Sequence, residues 1–252
     1  MTVVALATVS AACVGTAERP DLEGSGPPDI SESVVGRHAR ESSTELADRD
    51  PGSQGEQAAS FYILGHLQQA GYVVRLDAVP VGNLVSSTNL VALPPGGDDP
   101  EVVVPVSYDS GGDLALAVFL ELARALHAAD PEHSVEFVAL GAEGGRGDDA
   151  LLGSRRLTRV LLDEGVDPII VTLDIIQTGA GGVFVDGDGE AADGLRRTAE
   201  RLHFEAPAEV PPPPQSSRRS VFERAGWDHV YVRGRPVEVG RVVLEYLVAV
   251  GD

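Results

Sequence analysis

The sequence predicts an α/β protein, a three-layer αβα sandwich around a mainly parallel (mixed) β-sheet. Short, continuously apolar runs such as 102–106 and 135–140 are typical of strands that are covered on both faces. Segments with helical spacing alternate with these runs from residue 102 onwards, which is the pattern of parallel strands joined by crossover helices. At 252 residues, the chain is long enough to bury one large core.

The first half of the predicted domain contains two helices and three β-like runs. Residues 30 to about 48 have helical spacing. A second helix begins after a capping signal, Ser53 with Glu56 three residues later, and it ends at Gly71. The β-like runs cover residues 72–81, 88–93 and 102–106.

Helices and strands then alternate to the end of the chain, and Asp113 is placed to cap the first of these helices. The predicted helices cover residues 114–127, 151–164, 190–203 and 237–250, and the predicted strands cover 135–140, 169–173, 182–185 and 229–232. In such sheets, ligands bind in loops beyond the carboxyl ends of the strands. The loops that begin at Ser107, Gly141 and Asp174 are therefore the predicted place for a functional site.

Charge and cysteine content exclude some classes of partner and site. The net charge is −20, because the chain contains 39 acidic residues and only 19 basic residues, all of them arginine. A surface this acidic repels phosphate backbones and anionic lipid, so no nucleic-acid partner is predicted. The chain contains one cysteine, which excludes an internal disulfide and a cysteine-based zinc knuckle.

The amino-terminal residues resemble an export signal. Residues 3–12 form a short apolar run directly before Cys13, as in bacterial lipoprotein signals in which the cysteine is lipidated. We predict a signal-like segment at 1–13, a flexible linker at 14–29 and a folded domain at 30–252. The protein is then exported, as a cell-surface lipoprotein or a secreted protein, and contacts the membrane only through this anchor. A buried first strand with an inert core cysteine is the alternative.

Six motifs occur in order along the predicted domain. They are Gly52-Ser53-x-Gly55-Glu56, residues 89–92, residues 102–104 leading to Tyr108-Asp109-Ser110, residues 137–143 with Gly153-Ser154, Leu173-Asp174, and Phe222-x-x-Ala225-Gly226. Together they resemble the bacterial leucyl aminopeptidase and glutaminyl cyclase family of co-catalytic zinc exopeptidases. The resemblance runs from about residue 30 to 252. It implies that family's fold, a zinc pair held by five ligands, and a glutamate as general base.

Carried onto this sequence, the resemblance keeps the base and one zinc ligand. Glu143 matches the general base, and Asp174 matches the ligand that ends a strand. Ser107 stands where the first histidine ligand should be, and Gly144 stands where the ligand glutamate should be. The bridging aspartate falls near Gly111, and the loop that carries the late histidine is missing before the last helix.

No cofactor is therefore expected, because a single carboxylate cannot hold a pair of zinc ions. In the position of another family motif, Ser-Asp-His, the sequence has Ser217-Arg218-Arg219. We hypothesise that Arg218, Arg219 or Arg146 neutralises Glu143 and Asp174, so that an arginine–carboxylate network replaces the zinc ions in the cleft.

Replacement sites are less well supported by the sequence. The histidines are predicted to be surface or satisfied residues, none at a ligand position: His38, His66, His127, His133, His203 and His229. An all-oxygen calcium or magnesium site could draw on Asp109, Asp113, Glu143, Asp148, Asp149 and Asp174, but a solvated acidic loop is the favoured interpretation of the adjacent pair Asp148 and Asp149. Ser107 lacks the glycine-flanked elbow of serine hydrolases.

The sequence thus favours a non-catalytic pseudopeptidase that binds a peptide or protein partner through the old substrate cleft. Residues expected to line that cleft are Ser107, Asp109, Gly144, Arg218 and Arg219. The alternative is an active metallo-exopeptidase with a rearranged or single-metal site, using Glu143 as base and Asp174 as ligand. A structural surface protein without a ligand is the third interpretation.

Overall fold

The computed structural model describes most of the predicted domain. The described residues are 28–82, 84–93, 96, 99–109, 112–129, 131, 134–145, 150–176, 182–204 and 219–249. Cys13 and nearly all of the predicted linker lie outside these ranges, so the predicted anchor and domain boundaries stay predictions. At the start of the described chain, the Asp29 carboxylate accepts hydrogen bonds from Arg241 at 2.7 and 2.9 Å.

The described residues form seven helices and seven strands, numbered here in chain order. The helices are α1 (Glu32–Thr44), α2 (Gln54–Gln69), α3 (Asp113–Ala129), α4 (Leu152–Glu164), α5 (Glu190–Arg201), α6 (Arg219–Ala225) and α7 (Pro236–Ala249). The strands are β1 (Val73–Val81), β2 (Val85–Leu93), β3 (Val102–Ser107), β4 (Val135–Leu140), β5 (Ile169–Ile175), β6 (Val183–Asp186) and β7 (His229–Gly234).

One mixed sheet holds the strands in the order β1-β2-β4-β3-β5-β7-β6. The four central strands, β4, β3, β5 and β7, are parallel to one another. The remaining pairings, β1 with β2, β2 with β4 and β6 with β7, are antiparallel. Strand β3 lies between β4 and β5, so the chain leaves β3 in one direction and later returns on its other side. The carboxyl ends of these three strands therefore border a crevice of the kind in which α/β proteins bind ligands.

Helices cover both faces of the sheet. Helices α1, α2, α3, α5 and α7 contribute to a large apolar core on one face, and α4 and α6 contribute to a smaller core on the other. The alternation of side chains along each strand supplies both cores: Val102 and Val104 of β3 belong to the large core, and Val103 belongs to the small one. This is the three-layer αβα arrangement.

The predicted fold class is confirmed, and the predicted elements occur in the predicted order. The cap of α2 is also confirmed, because the Ser53 hydroxyl accepts a hydrogen bond from the Glu56 backbone N–H at 3.0 Å. Helix α6 was not predicted, since seven residues are too few for a periodic apolar pattern. Asp113 is the first residue of α3 rather than a cap before it. No helix in the described part of the chain is long and apolar enough to cross a membrane.

Candidate functional site

A groove of about 330 Å³ lies at the carboxyl edge of the parallel strands. Its lining combines the connection before α2, the β1–β2 turn and the segments that follow β3 and β4: Asp50, Pro51, Val81, Gly82, Asp109, Ala142, Gly144 and Gly145. This is the edge at which the sequence predicted a functional site. The lining contains two carboxylates and no histidine among the described residues.

Asp109 fixes the chain beyond β4. Ala142 has a left-handed backbone with φ of 54°, and the two backbone N–H groups that follow both point at one oxygen of Asp109. Gly144 donates to this oxygen at 2.9 Å, and Glu143 also donates to it. The other oxygen accepts from the Ser107 hydroxyl at 2.8 Å. Asp109 is buried, and its carboxylate therefore acts as a structural acceptor for this loop.

Glu143 is held at the amino-terminal end of α4. One carboxylate oxygen accepts from the Ser154 backbone N–H at 2.7 Å, and the other accepts from the Ser154 hydroxyl at 2.8 Å. The N–H groups in the first turn of a helix lack partners within the helix and carry partial positive charge. Both oxygens of the predicted base are therefore engaged by hydrogen-bond donors of α4.

A glycine brings α4 close enough to make these bonds. A Cβ added to Gly153 would lie 2.3 Å from the Gly141 carbonyl oxygen, so a larger residue would push the helix away. The Asn89 side chain joins the same two segments, donating to the Gly153 carbonyl at 2.9 Å and accepting from the Gly141 N–H at 3.1 Å. The motif residues Asn89 and Gly153 thus position Ser154 against Glu143.

Asp174, at the end of β5, pairs with an arginine of the neighbouring strand. Arg233 is its register partner on β7 and donates to one carboxylate oxygen from Nε at 2.7 Å and also from a terminal nitrogen. The side chains of Arg233 and Asp174 are 14% and 32% exposed. An arginine therefore neutralises Asp174, but it is Arg233 of β7. The hypothesis that Arg146, Arg218 or Arg219 does so concerns side chains outside the described residues and stays a prediction.

The structure places some predicted site residues together and leaves others undescribed. Ser107, Asp109 and Glu143 form one hydrogen-bonded group with the Gly144 backbone. Arg146, Asp148, Asp149 and Arg218 lie outside the described residues, as does the side chain of Arg219. Asp113 accepts from the buried Arg49 guanidinium at 2.6 Å.

A second polar cluster lies between α1 and α2, where the sequence predicted surface or satisfied histidines. Donor atoms of His38, Glu41 and His66 all lie within 4.8 Å of one another. The sequence alone gave no sign that the imidazoles of His38 and His66 lie together. They meet because they come from two helices that pack side by side, with ring centroids 4.6 Å apart at 86°. Helical spacing within one segment cannot reveal such a pair.

Tyr62 completes this cluster. Its hydroxyl donates to Glu41 and lies 2.5 Å from Nδ1 of His38. Burial lowers the pKa of His38 to about 4 and also lowers the pKa of His66. Burial, followed by the hydrogen bond to the Glu41 carboxylate, raises the pKa of Tyr62. At neutral pH both imidazoles are thus neutral and the phenol keeps its proton.

Comparison with known proteins identifies the fold. No protein-family model matches the sequence, and no curated protein matches it either. Solved structures do match. A leucine aminopeptidase precursor from Bacteroides thetaiotaomicron superposes with a TM-score of 0.73 at 13% identity, over 89% of this chain and 99% of that one.

Two further structures give the same result. A glutaminyl cyclase of Bacteroides thetaiotaomicron, bound to N-acetylhistamine, has a TM-score of 0.72 at 14% identity, over 89% of this chain and 99% of that one. A Zn-dependent exopeptidase of Parabacteroides distasonis has a TM-score of 0.71 at 12% identity, over 89% of this chain and 100% of that one. Identities this low establish a shared architecture, and the chain therefore has the fold of zinc-dependent exopeptidases and glutaminyl cyclases.

Proposed function

We propose that this protein is a non-catalytic relative of zinc exopeptidases and glutaminyl cyclases. One observation carries the proposal: Asp174, the retained ligand position, is engaged by Arg233. A guanidinium beside a carboxylate repels a divalent cation, and Arg233 engages one of the two carboxylate oxygens. The described residues at this edge of the sheet thus do not fit a zinc pair.

The hydrogen bonds of two other carboxylates, Glu143 and Asp109, support the same proposal. Glu143 has both oxygens bonded to Ser154, so it is not poised to take a proton from a bound water. Asp109 holds the backbone of the loop after β4. The polar groups of this region are therefore paired within the fold, unlike those of an incompletely paired active site.

We further propose that the groove binds the amino-terminal end of a peptide or protein partner. A volume of about 330 Å³ is small for a drug-sized ligand and suits one or two residues. Asp50 and Asp109 line it, and the net charge of −20 favours a cationic ligand such as an ammonium group. Export and anchoring through Cys13 are part of this proposal and rest on the sequence alone.

A turnover assay tests the loss of catalysis. The purified chain is incubated with aminoacyl anilides and with a peptide that begins with glutamine, with and without added Zn²⁺ or Co²⁺. We expect no release of product above the buffer rate under any condition. Zinc-dependent turnover that disappears in Glu143→Gln would instead establish the alternative, an active metallo-exopeptidase with a rearranged site.

A binding assay tests the groove. Isothermal titration compares one peptide library with a free amino terminus and the same library after acetylation. We expect binding that requires the free amino group and weakens several-fold in Asp50→Asn, because this exposed carboxylate lines the groove. The matched control is Asp193→Asn, an exposed carboxylate on α5. Equal binding by the acetylated library would contradict an ammonium site.

A further inference from the structure

The cluster between α1 and α2 has the composition of a metal site. His38 and Glu41 are three residues apart on α1, which places them on one helical face. His66 faces them from α2, so that two imidazoles and one carboxylate converge. Two histidines and one glutamate form a ligand set that proteins use for zinc, with a fourth position left for water.

The hydrogen bonds of Tyr62 orient these ligands. A carboxylate has no proton to give, so the single hydroxyl proton of Tyr62 must go to Glu41. The hydroxyl oxygen then accepts from Nδ1–H of His38. This fixes the tautomer of His38 and leaves the lone pair of Nε2 available. Histidines that bind metals commonly donate their other N–H to such a partner.

The third residue of the cluster is His66. Neither ring nitrogen of His66 has a hydrogen-bond partner among the described residues. Tyr62 and His38 contact its ring face or edge, with centroids 4.4 and 4.6 Å away. Donor atoms around a tetrahedral zinc ion are about 3.3 Å apart, since each bond is about 2.0 Å. Small side-chain rotations therefore close a cluster that now spans at most 4.8 Å.

Burial and charge also suit a cation. His38 is buried, whereas Glu41 and His66 are half-buried, so the cluster is shielded but opens to solvent on one side. Arg37 is the cation near both imidazoles, and Glu45 and Glu121 are further carboxylates near the cluster. The local charge is thus acidic, as is the whole chain.

We propose that His38, Glu41 and His66 form a binding site for a divalent transition metal ion of the zinc type. The site is distinct from the old cleft. It lies among helices on the large-core face, whereas the groove lies at the carboxyl edge of the sheet and Glu143 bonds to α4 on the other face. The proposal does not depend on the function proposed for the groove.

Zinc binding by the full-length protein without a polyhistidine tag tests the proposal. Isothermal titration with Zn²⁺ measures affinity and stoichiometry, and the visible absorption of added Co²⁺ reports the coordination number. We expect one ion per chain and a Co²⁺ spectrum of a four-coordinate site. Loss of an outer-shell partner weakens metal sites by about 10- to 100-fold, so loss of a ligand in His66→Ala should weaken binding at least about 100-fold.

Matched variants keep the result interpretable. Glu41→Gln keeps the size of the side chain and can still accept the Tyr62 hydrogen bond, so it should fold even if His66→Ala does not. It should also lose zinc. His203→Ala, an exposed histidine after α5, and Asp174→Asn, in the old cleft, should bind as the unmodified protein does.

Two results would overturn the site. Absence of zinc uptake by the folded, unmodified protein would mean that the cluster is only a hydrogen-bonded contact between helices. Zinc binding that survives in Glu41→Gln but disappears in Asp174→Asn would place the ion in the old cleft instead.

Discussion

The carboxyl edge of the sheet and the α1–α2 cluster both gather ionisable side chains, but they differ in how those side chains are satisfied. At the sheet edge, Asp109, Glu143 and Asp174 are bonded to backbone N–H groups, a serine and an arginine. In the cluster, one phenol serves two ligand residues and His66 has no hydrogen-bond partner among the described residues. Resemblance to a catalytic family thus directs attention to the region whose polar groups are already satisfied.

The largest expected effect tests whether the positive charge of Arg233 is needed to neutralise the Asp174 carboxylate. Arg233→Met leaves the Asp174 carboxylate in a partly buried position without this partner, and we expect a loss of about 3 kcal/mol in the free energy of unfolding. Urea denaturation followed by circular dichroism measures it. Arg201→Met is the matched control, because its ion pair with Glu245 is exposed and should contribute less than about 1 kcal/mol.

A second substitution sharpens this prediction. In Arg233→Met/Asp174→Asn the unpaired charge is gone, so most of the lost stability should return. Equal stability of Arg233→Met and the unmodified protein would mean that Asp174 needs no neutralising partner. Its ion pair would then not distinguish this edge of the sheet from the α1–α2 cluster.

The next largest effect concerns a buried acid. Glu136 lies on β4, the strand that leads to Glu143, but it is buried near the strand's start, and one of its oxygens has no hydrogen-bond partner in the described part of the chain. Burial raises its pKa to about 7, although Arg75 lowers it, and Glu164 adds to the rise. In the unfolded chain the carboxyl group ionises near its ordinary value of about 4.3.

The sign of the pH dependence follows from proton binding. Between about pH 4.5 and 7 the folded chain keeps a proton on Glu136 that the unfolded chain has lost, so stability falls as the pH rises through this range. Glu136→Gln should remove that dependence and stabilise the protein by about 3 kcal/mol at pH 8, with little change at pH 4. Urea denaturation across this pH range measures it, with the exposed Glu200→Gln as control. Parallel pH profiles for Glu136→Gln and the unmodified protein would show that Glu136 is paired in solution.

Sequence reasoning recovered the fold because patterning is local. Apolar runs and capping signals identified nearly every strand and helix, and the ends of the parallel strands identified the edge at which Asp109, Glu143 and Asp174 lie. The partners of those residues were harder to predict. Arg233 and Asp174 are 59 positions apart in sequence, and they lie side by side because of the register between β5 and β7. The sequence signal for this pair is the position of Arg233 near the end of the last predicted strand.

The α1–α2 cluster was missed for a related reason. His38 and Glu41 have a spacing that could have been recognised on one helix, but a single histidine and glutamate are common on any helix. Only the packing of α2 beside α1 adds His66 and Tyr62. A contact between two helices depends on which of their faces pack against the core. The apolar stripe along each whole helix determines that face.

The smallest expected effect tests how the cluster is oriented. Tyr62→Phe removes the hydroxyl that donates to Glu41 and accepts from His38, and it should lower the free energy of unfolding by about 1 kcal/mol without metal. If the hydroxyl orients His38 for metal binding through Nε2, the same change should weaken zinc binding about tenfold, less than the loss of a ligand does. Tyr246→Phe is the control, because this tyrosine is largely buried and its hydroxyl has no hydrogen-bond partner among the described residues. Urea denaturation and zinc titration measure the two effects. Tighter zinc binding by Tyr62→Phe would mean that the hydroxyl competes with the ion, and that Nδ1 rather than Nε2 of His38 is the ligand atom.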